Sequence, residues 1–121
     1  MTIILLIAII AISFAFIIVS KKAPKGVTNI DYKGIEALKS TNKVQLIDVR
    51  TTAEYKGKAI KGFINIPLDQ LNKQIKTLDA QIPTVVMCAS GMRSKQAAQI
   101  MVQNGFTSVY NFSGGISTYP Q

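Results

Sequence analysis

The segment Pro83-Thr84-Val85-Val86-Met87-Cys88-Ala89-Ser90-Gly91-Met92-Arg93-Ser94-Lys95 contains the single cysteine of a 121-residue chain. Residues 84–88 form an apolar run of strand length, which reads as a buried strand ending at Cys88. Five residues then make a turn around Gly91, and a helix is expected to begin near Ser94. Cys88 accordingly sits at the carboxyl end of a strand and faces a helix N-terminus. Backbone N–H groups from Ala89 to Ser94 can curl around its sulfur as an anion-binding nest. With Arg93 and Lys95 close by, those dipoles favour thiolate over thiol. The bland alternative is a small buried hydrophobe that ends a strand. The C-x-x-G-x-R spacing between a strand and a helix favours the reactive site.

Working outward, apolar runs of strand length alternate with amphipathic stretches. Strands are expected over residues 44–49, 63–66, 84–88 and 108–111, with 27–30 as an edge strand. Helices are expected over 31–39, 51–56, 69–78 and 94–104. Thr51-Thr52-Ala53-Glu54 has capping-box spacing, so a helix should start directly after the second strand. The last helix places Ala97, Ile100, Met101 and Asn104 on one face, and Gly105 follows as its stop. This alternation predicts an α/β fold, a parallel sheet flanked by helices. Ligands in such folds bind beyond the carboxyl ends of the strands.

Composition narrows the chemistry further. There is no histidine, so a Ser-His-Asp triad, a Cys-His pair and His-ligated metal are all excluded. One cysteine excludes an intramolecular disulfide and a multi-Cys zinc site. Without a histidine base, electrostatics must activate Cys88 as a nucleophile. The formal charge of +8 does not indicate nucleic acid. The basic residues are scattered, the longest run is Lys21-Lys22, and no aromatics are interleaved for stacking. Such charge suits an anionic substrate or an acidic lipid surface.

Residues 3–19 carry no charge, and Ser13 is their only polar residue. A helix of twenty residues is about 30 Å long, the thickness of a bilayer core. The rival is a cleaved signal peptide, which calls for a basic leader and a small-residue cleavage site. Neither is evident here, so an uncleaved anchor is expected over residues 1–20, a linker over 21–26 and one domain over 27–121. Lys21, Lys22 and Lys25 follow the apolar run, and the positive-inside rule then predicts a single-pass membrane protein whose domain faces the cytoplasm.

Leu46-Ile47-Asp48-Val49-Arg50, Glu54-Tyr55, Ile60-Lys61-Gly62, Asn65-Ile66-Pro67-Leu68, the loop from Cys88 to Ser94, and Gly114-Gly115-Ile116 stand in that order along the chain. In this order they resemble single-domain rhodaneses over about residues 27–119, essentially the whole part after the linker. The resemblance implies a rhodanese-like α/β domain in which Cys88 carries sulfane sulfur as a persulfide, with no cofactor and no metal. It implies that the backbone of Ala89, Ser90, Gly91, Met92 and Arg93, with Ser94 closing the loop, holds the persulfide and the incoming anion. Arg93 would orient an acidic substrate. Asp48 and Arg50 resemble the family's Asp-x-Arg pair, and a buried structural pair near the site is the expected role, because buried charges need partners. The implied partners are a small anionic donor such as thiosulfate or a persulfide, and a thiol or protein acceptor. Two places depart from the family pattern: Lys58-Ala59 stand where Gly-His is common, and Tyr119 stands where tryptophan is common.

Two rivals belong to other classes. A cysteine phosphatase of related architecture uses a loop one residue longer, C-x5-R, and needs a general acid that this loop does not offer. A non-catalytic membrane-tethered adaptor could keep the fold for binding alone.

Overall fold

The structure is a computed structural model that describes residues 23–120. The expected membrane-spanning run, residues 3–19, lies outside the described residues, as do Lys21 and Lys22. Among the described residues, no helix is long and apolar enough to cross a membrane.

Five strands form one sheet: β1 (Val27–Ile30), β2 (Gln45–Asp48), β3 (Ile64–Asn65), β4 (Thr84–Met87) and β5 (Val109–Phe112). Their order is β1-β5-β4-β2-β3, and every pairing is parallel. The central strand β4 is buried along its whole length, which is why its sequence is apolar without alternation. In register, Asp48 lies beside Met87 and Val86 beside Asn111, so the ends of β2, β4 and β5 finish at one edge.

Alternate residues feed two cores, one on each face of the sheet. Ile47, Val86, Cys88 and Val109 pack with Ala97, Ala98 and Met101 of α4 (Met92–Gln103) and with Leu71 and Ile75. On the opposite face, Leu46, Val85, Met87 and Phe112 pack with Ile35 of α1 (Tyr32–Lys39) and with Phe63, Ile116 and Tyr119. Tyr119, standing where the family often has tryptophan, makes edge-on contacts with the rings of Tyr32, Phe63 and Phe112.

Local chemistry fixes the helix starts. Asp31 accepts the Gly34 N–H at 2.8 Å and caps α1. Thr51 and Glu54 form the expected capping box at the start of α2 (Thr52–Gly57).

Three expectations are corrected. First, the stretch 69–78 is not one helix but a single α-turn, α3 (Leu71–Gln74), between tight turns at Leu68–Gln70 and Ile75–Thr77. The Thr77 hydroxyl donates to the Gln74 carbonyl, and the Gln45 amide clamps both backbone groups of Asp79. Those bonds compete with helix continuation. Second, α4 begins at Met92 rather than Ser94, because Gly91 in the left-handed region forms the cap and its carbonyl accepts the Lys95 N–H. Third, the buried face of α4 is Ser94, Ala97, Ala98 and Met101. Ile100 is half-buried and Asn104 is exposed, since small residues on the inner face let the helix lie close to the sheet.

Candidate active site

Cys88 follows the last residue of β4 and is 1% exposed. Its Sγ accepts the Gly91 N–H at 3.0 Å and the Ser94 hydroxyl at 3.4 Å. Burial pushes the thiol pKa up, but the Ser94 hydroxyl and the amides of Ser94, Ser90 and Gly91 stabilise the thiolate, and the balance falls below the ordinary value. Ala89, Ser90 and Met92 are exposed around the sulfur, Arg93 is half-buried, and Gly91 and Ser94 are buried. The turn proper is Ala89–Gly91; Met92, Arg93 and Ser94 belong to the first turn of α4.

The chain beyond β5 builds the second wall of this loop. Ile116 N–H donates to the Cys88 carbonyl at 3.0 Å. Asn111 Nδ2 donates to the Gly91 carbonyl at 3.2 Å, while Asn111 Oδ1 is buried without a hydrogen-bond partner among the described residues. Gly91 has φ +94°, and a Cβ there would strike the Ser113 carbonyl. Gly115 has φ +78°, and a Cβ there would strike the Ala89 carbonyl. Both positions therefore need glycine for conformation and for space.

Asp48 and Arg50 form a buried pair beneath the site, at 0% and 4% exposure. Arg50 Nη2 meets Asp48 Oδ2 at 2.7 Å, and Nε lies 3.1 Å from both carboxylate oxygens. Nη1 and Nη2 also donate to the carbonyls of Glu54 and Lys58, in the carboxyl-terminal part of α2 and at its cap. Lys58, at one of the two departures from the family pattern, contributes its backbone here. Arg50 thus fixes where α2 lies.

From α2, Glu54 reaches Arg93. Its two carboxylate oxygens accept from Arg93 Nη1 at 2.6 Å and Nη2 at 3.0 Å. The Arg93 guanidinium and the Thr51 backbone N–H hold the Glu54 carboxyl down to about 2. Arg93, expected to meet an acidic substrate, is already paired. Glu54 is the site residue that reading the sequence missed. Its capping-box spacing marked it as a helix start, and nothing local pointed to a partner 39 residues away.

The rhodanese-like domain family model matches residues 32–120. The chain belongs to that family. It is 34% identical over 76 residues to the thiosulfate sulfurtransferase GlpE of Shewanella oneidensis, covering 63% of this chain and 75% of GlpE. It is 40% identical over 77 residues to YqhL of Bacillus subtilis, covering 64% of this chain and 61% of YqhL. Among solved structures, a rhodanese with anions from E. coli superposes with a TM-score of 0.58 at 34% identity, over 64% of this chain and 94% of that one. The cysteine loop follows β4 at the sheet edge where the parallel strands end.

Proposed function

We propose that this domain is a sulfurtransferase in which Cys88 carries sulfane sulfur between a donor and a thiophilic acceptor. The observation that carries the reading is the buried Cys88 sulfur, facing the Gly91 N–H and the Ser94 hydroxyl at the end of the central strand. The thiolate attacks the outer sulfur of the donor. The donor's S–S bond breaks and its inner fragment leaves with the bonding pair, as sulfite from thiosulfate or as a thiolate from an organic persulfide. Cys88 is left as a persulfide anion in the nest of amides. An acceptor thiolate then takes the outer sulfur, and the Cys88 thiolate is restored. The phosphatase reading loses support from Glu54, the carboxylate nearest Arg93. Held near 2, it stays ionised and has no proton to give a leaving group at neutral pH.

Mass spectrometry of the donor-treated protein tests this directly, because the chain has one cysteine. One added sulfur on Cys88, lost on adding a thiol and absent in Cys88→Ser, is the expected result. Sulfur transfer at full rate by Cys88→Ser would rule the Cys88 mechanism out, and no added sulfur on the wild type would leave the adaptor reading.

We also propose that residues 3–19 anchor the protein in the membrane with the domain on the cytoplasmic side. The support is the uncharged apolar run followed by Lys21, Lys22 and Lys25. Protease added to intact spheroplasts should spare the domain, and its rapid digestion there would overturn the orientation.

A further inference from the structure

A groove of about 690 Å³ opens beside Arg93. Its apolar lining comes from Val49, Ala53, Pro67 and Leu68, and Asp69 adds a carboxylate. Arg93, in the first turn of the helix that follows the Cys88 loop, lines this groove, so the groove and the loop share that residue. Among the described residues, Arg93 is the only cation in the lining, and Glu54 already accepts from both of its terminal nitrogens. The Asp48–Arg50 pair behind the site is likewise neutral as a unit.

The charge balance decides which donor fits. Cys88 must react as a thiolate, so attack on thiosulfate gathers three negative charges, one from sulfur and two from the donor. An organic persulfide anion brings one charge, for a total of two. With Arg93 neutralised and Asp69 on the wall, the groove itself offers no free side-chain cation among the described residues, and the amide nest, with Lys95 in the separate pocket beside Ser90 and Gly91, is left to face the anion. The apolar walls, in turn, have nothing to gain from the sulfite half of thiosulfate. They suit a carbon chain.

We propose that Glu54 is a specificity-determining residue: by pairing Arg93, with Asp69 beside it, it selects singly charged organic persulfides over dianionic thiosulfate as sulfur donors. This rests on the sulfurtransferase reading above. Glu54 is a positioning residue, acting on the donor through Arg93. Glu54→Gln is the informative change, because glutamine keeps the shape and can still accept the Thr51 N–H that starts α2. It removes one negative charge and leaves Arg93 as an uncompensated cation.

The experiment measures kcat/KM on the full chain with two probes, thiosulfate and a small alkyl persulfide. The wild type should prefer the alkyl persulfide. Glu54→Gln should raise the thiosulfate-to-persulfide ratio roughly fivefold, the effect of one charge a few ångströms away across a half-exposed site. High salt should shrink that gain, since the pair is partly in solvent. Asp69→Asn should move the ratio the same way by a smaller factor, and it reads the same field should Glu54→Gln fold poorly. A wild type that takes sulfur onto Cys88 but shows an unchanged ratio in both variants would overturn the specificity role alone. A wild type that takes no sulfur from either probe would overturn the sulfurtransferase reading together with it.

Discussion

Ser94→Ala isolates one contact of the cysteine cradle. Ser94 is fully buried, and its hydroxyl reaches the Cys88 sulfur at 3.4 Å. Alanine is a better helix former, so α4 should survive the change. A hydrogen bond to a charged group contributes roughly 1.5–3 kcal/mol, and the long sulfur contact argues for the lower end. About 1.5 kcal/mol corresponds to roughly a tenfold smaller thiolate population at any pH well below the pKa. The thiolate that remains is more basic and, with a Brønsted slope of about 0.4–0.5, roughly threefold more nucleophilic. Below the pKa, alkylation should therefore slow about threefold; at high pH, where both proteins are fully thiolate, the variant should react about threefold faster. Iodoacetamide rates across pH read this cleanly, because Cys88 is the only thiol. The two curves must cross. Superposable curves, or curves differing by one constant factor at every pH, would refute the stabilising role of the hydroxyl. A stability consequence follows with a definite sign. Folding lowers the Cys88 pKa, so its contribution is full above the pKa of the unfolded thiol and is lost as pH falls through the folded one. Wild type should gain stability over Ser94→Ala as pH rises through that window, which urea denaturation at two pH values measures.

Gly115→Ala should lower stability by more than about 2 kcal/mol and abolish sulfur transfer, through positive φ and collision with the Ala89 backbone. Gly57→Ala, where a Cβ meets nothing within 4 Å, is the control, with a change of at most about 1 kcal/mol in urea denaturation. Asp48→Asn strands the buried Arg50 charge and should cost about 3–5 kcal/mol. A denaturation midpoint within error of wild type would show that Arg50 draws its support from the Glu54 and Lys58 carbonyls instead.

The strands were legible because parallel strands covered on both faces are rich in apolar residues, as in Thr84–Met87 of β4, Leu46-Ile47 of β2 and Val109, Tyr110 and Phe112 of β5. The Thr51–Glu54 cap was legible for a similar reason, since all its parts lie within four residues. What escaped notice depends on partners distant in sequence. The break around α3 comes from Gln45 gripping Asp79, 34 residues away. The helix α4 starts at Met92, two residues before Ser94. Its cap is Gly91, whose left-handed backbone lies so close to Ser113 that any Cβ would strike the Ser113 carbonyl, and Ser113 is 22 residues away in sequence. Arg93 was read as a free cation for the same reason: its partner Glu54 is near only after folding.

The strand order shows how the loop around a single cysteine is held in place without a histidine. β5 lies on one side of β4 and brings Asn111, Gly115 and Ile116 against the loop. β2 lies on the other side, where Asp48 holds Arg50, Arg50 holds α2, and Glu54 of α2 holds Arg93. The loop is therefore fixed from both flanks by backbone contacts and a buried ion pair before any donor arrives. Amides already aimed at the sulfur need no reorganisation when charge collects there, and that is what makes fixed dipoles effective in place of a base. Asn111 gives the measure of the constraint. Among the described residues its Oδ1 is buried without a hydrogen-bond partner, which costs about 1–3 kcal/mol, while its Nδ2 holds the Gly91 carbonyl. The fold tolerates that loss at the residue that keeps the Gly91 turn, and with it the Gly91 N–H, facing the Cys88 sulfur.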